Sequence, residues 1–235
     1  MKGLMSITQT NTLYLVRHGE NLANITKEFS YKLVDYSLTP KGVLQAEQTA
    51  EFLRAIDLDA VYASPLKRAK ETGEIIARQH GLPVELREEF REVNIGDLEQ
   101  MPPTEASWRI HDAVVAQWAS GRPQVRFPGG ENFLELVERS RRGLLVATRG
   151  RSQQRIVIAA HGGILTGIVR NFCTNLSEEM SHVSMHNCAI TEIELTTRDE
   201  EILNGSLISW SCITHLSGEA AELVSPVLEY EKAEV

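Results

Sequence analysis

Apolar runs and polar turns alternate along the chain in a pattern that predicts strands and helices in turn. Residues 12–16 (TLYLV) are apolar on both faces over strand length, as in a buried parallel strand, and Arg17-His18-Gly19-Glu20 follows at once. Residues 21–38 have few periodic apolar positions and read as a loop carrying a short helix at most. Thr39-Pro40 joins an N-cap residue to a proline at the first helical position, which predicts a helix to about Ile56 burying Leu44, Ala50 and Leu53. Residues 60–63 (AVYA) form the second predicted strand, and Ser64-Pro65 repeats the cap-and-proline signal for a helix ending near His80-Gly81. Residues 83–86 make a third short strand, and 87–105 are charged and aperiodic. Helices are predicted over 109–120 and 131–148, with a loop between them. Residues 155–160 (RIVIAA) are the strongest strand and run into His161-Gly162-Gly163, after which 164–173 should be helical. Residues 189–195 and 207–212 read as later strands, and 217–235 as an acidic tail with no predicted structure.

This alternation defines an α/β protein with a mostly parallel sheet. At 235 residues one domain with a single core is expected, about residues 12–213, with both ends peripheral. A composition of 42% hydrophobic and 24% charged residues argues against disorder. The formal net charge of −8 makes nucleic acid an unexpected partner, although a local arginine cluster can still bind a small anion. No apolar run reaches the roughly 18 residues of a membrane span, so no membrane partner is expected. Cys173, Cys188 and Cys212 form no CxxC pair and read as reduced thiols of a cytoplasmic protein without zinc.

Three segments share one design, an apolar strand, a polar turn and a helix start: TLYLV-RHGE, AVYA-SPLKR and RIVIAA-HGG. If these strands are parallel, the three turns meet at the carboxyl edge of the sheet, where open α/β sheets bind ligands. Arg17, His18, Arg68 and His161 then share one place. Two arginines supply forked, permanently charged donors that fit phosphate oxygens. Two histidines supply a nucleophile and a further donor. Guanidinium groups can stabilise a transferring phosphoryl group without magnesium.

Leu15-Val16-Arg17-His18-Gly19-Glu20 resembles the signature of the histidine phosphatase superfamily, which contains the cofactor-dependent phosphoglycerate mutases and many phosphatases. Residues 64–72 (SPLKRAKET) and 160–163 (AHGG) resemble its second and third motifs. Residues 38–42 (LTPKG), Gln45-Ala46 and 128–131 (PGGE) match as well, so the resemblance spans roughly residues 13–195. It implies a phosphoglycerate mutase-like three-layer sandwich, a central sheet flanked by helices. It also implies a phosphohistidine formed on His18, with Arg17, Arg68 and His161 gripping the phosphoryl oxygens. Asn24 falls where relatives place an asparagine near the phosphate, and Gly162 belongs to the phosphate-binding turn. The general acid lies in residues 91–99 (REVNIGDLE), and Glu92 is the residue chosen, ahead of Glu88, Glu89 and Glu99. Such an acid must hold its proton near neutral pH, which a neighbouring phosphate dianion favours.

The resemblance thus implies metal-independent hydrolysis of a small-molecule phosphate ester, with no cofactor and dimers common among related proteins. A mutase is the alternative, but the longer insert and RHGES start typical of mutases are absent. A non-catalytic phospho-ligand-binding module ranks third. Position 21 is asparagine where serine or threonine is usual, and Leu98 and Gln100 replace a common tryptophan and glycine. Trp108 and Trp118 read as packing residues, and His80, His111, His182, His186 and His215 as structural or surface. His182 and His186, four apart, lack a third metal ligand, so no metal site is expected.

Overall fold

Strand β1 (Thr8–Arg17) carries apolar side chains to both sides of a sheet. Leu13 and Leu15 enter one core, Tyr14 and Val16 another, and all four are buried. The computed structural model describes residues 7–176, 180 and 184–224. After β1 come α1 (Leu22–Thr26), α2 (Pro40–Leu53), β2 (Ala60–Ala63), α3 (Lys67–His80) and β3 (Val84–Leu86). They are followed by α4 (Glu105–Ala119), α5 (Phe133–Thr148), β4 (Arg155–Ala160), α6 (Gly162–Phe172), β5 (Ile190–Arg198) and β6 (Glu201–Cys212). The sheet order is β3-β2-β4-β1-β5-β6. Strands β1 to β4 are parallel, whereas β5 is antiparallel to both β1 and β6.

One core packs Leu136 and Leu144 of α5 and Ile164, Leu165 and Ile168 of α6 against Leu13, Leu15, Ile156 and Ile158. The other packs Ala50 and Leu53 of α2 and Ile76 and Ala77 of α3 against Tyr14, Val16, Val61 and Val157. The result is the expected three-layer α/β sandwich. The sheet is mixed, its antiparallel part confined to β5 and β6.

Several boundaries differ from the sequence reading. β1 starts at Thr8, four residues early, because the polar stretch before Thr12 pairs with β5, Thr8 opposite Arg198. β5 and β6 outrun their apolar segments for a related reason: burial alternates along β5, so polar residues occupy its outer face. Helix α3 begins at Lys67, and Ser64 is not its cap. The Ser64 hydroxyl is engaged instead by the Leu66 amide at 3.3 Å and by the His161 ring at 2.8 Å. Helix α4 starts at Glu105 because Thr104 and Ser107 form a capping box. Leu44 is only half-buried, packed on a small third cluster. The described part of the predicted tail departs from that reading: Gly218–Ala221 form a 3-10 turn, and Ala220 is buried against α2, while 225–235 lie outside the described residues.

Candidate active site

The register of the sheet brings the three turns to one edge. Arg17 at the end of β1 lies opposite Ala160 of β4, and Ala63 of β2 opposite Ala159. The chain then continues from each strand end with hydrogen bonds to its neighbour. The His18 amide donates to the Ala160 carbonyl at 2.9 Å and the Ser64 amide to the Ala159 carbonyl at 3.0 Å. Glycine is required behind this edge, because Gly19 and Gly42 are in backbone contact and a Cβ on either would collide with main chain. That approach seats the start of α2, capped by Thr39, against the turn that holds His18.

His18 is fixed by its own turn. Its Nδ1 lies 2.7 Å from the Gly19 carbonyl, a bond that requires a proton on Nδ1 and leaves the lone pair on Nε2. Arg68 donates from Nε to that Nε2 at 3.1 Å and from Nη2 to the Ser30 carbonyl at 2.8 Å. Arg17 donates from Nη1 to the Met185 carbonyl at 2.5 Å. His161, the residue before α6, stands with its ring centroid 5.1 Å from that of His18. All four side chains are buried. Burial, together with the charges of Arg68 and Arg17, holds the His18 imidazole well below its usual range, and His161 is lowered by burial and the same arginines. Burial also pushes the Arg68 guanidinium down to about 10.

Arg17 Nε, Arg68 Nη1 and His161 Nδ1 are buried nitrogens with no protein hydrogen-bond partner. Buried charges are normally paired. A cluster of uncommitted donors around a histidine lone pair has the chemistry of a site for an oxyanion.

Glu92 sits at the start of α6. Its Oε1 accepts from the Val93 amide at 2.8 Å and the Ile164 amide at 3.0 Å, and its Oε2 from the Gly163 amide at 3.1 Å. A Cβ on Gly163 would lie 2.6 Å from Oε1, so the second glycine of the HGG turn makes room for this carboxyl group. Arg17, His18, Asn24, Arg68, Glu92 and Gly162 line one cavity of about 980 Å³. The other acids weighed with Glu92 lie elsewhere. Glu88 pairs with Arg91, and Glu99 accepts from the amides of Tyr31, Lys32, Leu33 and Val34.

Asn24 joins the site through α1. Its Oδ1 accepts from the Asn21 amide at 3.1 Å and from Asn187 Nδ2 at 3.0 Å. Asn21, the unusual residue, serves as the N-cap of α1. Sequence reasoning missed Asn187, which also donates to the His18 carbonyl at 2.9 Å; an isolated asparagine in a loop carries no signal. It also missed Arg139 on α5, which donates to the carbonyls of Glu89, Arg91 and Glu92 and pairs with Glu131 at 2.7 Å. Trp108, His111 and Trp118, read as packing or surface residues, also line the cavity because α4 borders it. His182 lies outside the described residues.

A fold with buried arginines and histidines gathered at the carboxyl edge of its sheet defines a class of phosphate-handling α/β proteins. The family model for the histidine phosphatase superfamily (branch 1) matches residues 13–205, and the chain belongs to that family. It is 29% identical over 204 residues to the uncharacterized phosphatase PhoE of Bacillus subtilis, covering 87% of this chain and 96% of that protein. It is 33% identical over 190 residues to the probable phosphoglycerate mutase GpmB of Erwinia tasmaniensis, covering 77% of this chain and 84% of that protein. Among solved structures it resembles a mycobacterial glucosyl-3-phosphoglycerate phosphatase in complex with VO3, with a TM-score of 0.69 and 26% identity over 86% of this chain and 100% of that one.

Proposed function

We propose that the protein hydrolyses phosphomonoesters without a metal, through a phosphohistidine on His18. The observation that carries this reading is the His18 ring, held with its Nε2 lone pair facing Arg68 and flanked by the uncommitted donors of Arg17, Arg68 and His161. Nε2 attacks phosphorus, and the P–O bond to the alcohol breaks with its electron pair leaving on oxygen. Glu92 gives that oxygen a proton; its Oε2, with one backbone donor, has room to carry it. Water then attacks the phosphohistidine, the same carboxylate takes a proton from it, and the P–N bond returns its pair to Nε2. Arg17, Arg68, His161, Asn24 and the Gly162 turn hold the equatorial oxygens throughout.

The test is phosphate release from a panel of sugar, nucleotide, glycerate and alkyl phosphates, by wild type and by His18→Ala, with and without EDTA. Release by wild type that survives EDTA and disappears in the variant is expected, with an acid-labile phosphoprotein trapped during turnover. Release that EDTA abolishes and magnesium restores would overturn the metal-free mechanism. The relatives named as probable mutases make interconversion of phosphoglycerates the second reading, which product analysis in the same panel separates from hydrolysis.

A further inference from the structure

Away from the phosphate end, the cavity changes character. We infer that this part holds the alcohol half of the ester and is built for an aromatic or bulky hydrocarbon group; the inference rests on the phosphomonoesterase reading. Trp108 packs on Phe29 with ring centroids 4.7 Å apart. Trp118 stands edge-on to Phe127 at 5.3 Å, and Val115 of the same helix α4 lines the cavity beside them. Both indole N–H groups are already spent on backbone: Trp108 Nε1 donates to the Lys27 carbonyl at 3.2 Å and Trp118 Nε1 to the Val125 carbonyl at 2.7 Å. The rings therefore offer apolar faces and edges to a ligand, and no donors.

The polar side chains here, Glu28, His111, Thr166, Arg170 and Ser184, are outnumbered by apolar ones. His111 is stacked 5.5 Å from Phe127, and its Nδ1 is engaged with Asp112 at 3.0 Å. Among the described residues, Arg170 is the one arginine or lysine lining the cavity outside the phosphate end, and its side chain is exposed at the rim. A glycerate or sugar phosphate would lay a carboxylate or several hydroxyls on mainly apolar walls, with donors confined to His111, Thr166, Ser184 and the rim Arg170, and such desolvation is unfavourable. An aromatic group would instead meet rings on several sides. The volume of about 980 Å³ is at the upper end for small-molecule sites, ample for a phosphate bearing fused rings.

The experiment separates this preference from leaving-group chemistry by keeping a primary alkyl alcohol throughout: ethyl, 2-phenylethyl and 2-(1-naphthyl)ethyl phosphate, beside glycerol 3-phosphate. kcat/KM should rise about tenfold or more from the ethyl to the naphthylethyl ester, while glycerol 3-phosphate stays near the ethyl ester. Val115→Asn, at a partly exposed position tolerant of polarity, should lose about fivefold more on the naphthylethyl ester than on the ethyl ester, and Trp118→Ala should show the same selectivity. Binding of the corresponding phosphonates, followed by tryptophan fluorescence, asks the question without turnover. Affinity that grows with the aryl group while no ester is hydrolysed would sink the hydrolase reading and leave this inference standing. A flat series, a preference for glycerol 3-phosphate, or phosphonate binding that ignores the aryl group would overturn the inference, even with hydrolysis intact.

Discussion

Two histidines share a buried corner with Arg17 and Arg68, and burial, reinforced by those arginines, sets their charge. Burial first, then the arginines, lower both His18 and His161, so both rings are neutral where an exposed histidine is already half-protonated. The unfolded chain then binds protons first as pH falls. Stability should be undiminished above about pH 6.5 and fall below it by up to about 1.4 kcal/mol per pH unit for each histidine. Urea unfolding of wild type and His161→Gln between about pH 7.5 and 5.5 checks this, and the variant should show the shallower decline. An identical slope would mean that His161 is charged in the native protein. Neutral His18 is also the form that can attack phosphorus. Glu92→Gln should lose about a hundredfold or more on alkyl phosphates and less than about tenfold on aryl phosphates, whose leaving groups need little protonation. Equal losses would remove Glu92 from the acid role. Arg17, His18 and His161 were legible because each follows an apolar strand. Glu92 was not separable from its acidic neighbours by composition; what distinguishes it is the cluster of amides at α6, a contact between segments about seventy residues apart in the chain.

Among the elements, α5 has a role that its amphipathic pattern does not disclose. From its buried-side edge Arg139 reaches the carbonyls of Glu89 and Arg91 at 2.7 and 2.8 Å and that of Glu92 at 3.2 Å, while Glu131, paired with it, accepts from the Asn94 amide at 2.8 Å. The loop carrying Glu92 is thus fastened on both sides. Gly96 and Gly130 complete the fastening, since a Cβ on either would strike main chain, which accounts for the PGGE segment. Arg139→Ala should therefore behave as a weaker Glu92→Gln, with a roughly tenfold loss confined to alkyl phosphates, and Arg139→Lys should not restore it because an ammonium cannot span three carbonyls. A loss equal on alkyl and aryl esters would make Arg139 a packing residue only. Element identity was readable from period and capping, boundaries less so. The Ser64-Pro65 signal misplaced the start of α3 because the serine hydroxyl is engaged by His161, a partner nearly a hundred residues away. The polar ends of β1, β5 and β6 are held by pairing with one another, which an apolar-run criterion does not detect.

At the scale of the whole molecule, an acidic chain with a formal charge of −8 concentrates buried arginines at one sheet edge, and the far end of the chain helps to hold that edge. Leu216 and Ala220 pack on Ala46 of α2 and on Cys188. Gln45 donates to the Ala220 carbonyl at 3.1 Å and accepts from the Glu20 amide at 2.9 Å, two residues past His18. Lys41 completes a second link, from the Glu222 carbonyl at 3.1 Å to the Glu20 carboxylate at 3.0 Å. The segment that reads as a peripheral tail therefore braces the turn carrying His18, through Gln45 and Lys41, whose carbonyl partners there lie 175 and 181 residues further along the chain. A chain ending at Thr214 should lose about 2–4 kcal/mol of stability, from the buried leucine and the small cluster it completes. It should also form phosphohistidine more slowly at temperatures where it remains folded, because Glu20 has lost the lattice that fixes it. Urea unfolding and single-turnover phosphorylation of the two chains measure the two effects separately. Reduced stability with an unchanged phosphorylation rate would limit the segment to packing, whereas a slower rate in the folded, shortened chain would place the support of His18 partly in the last described turn.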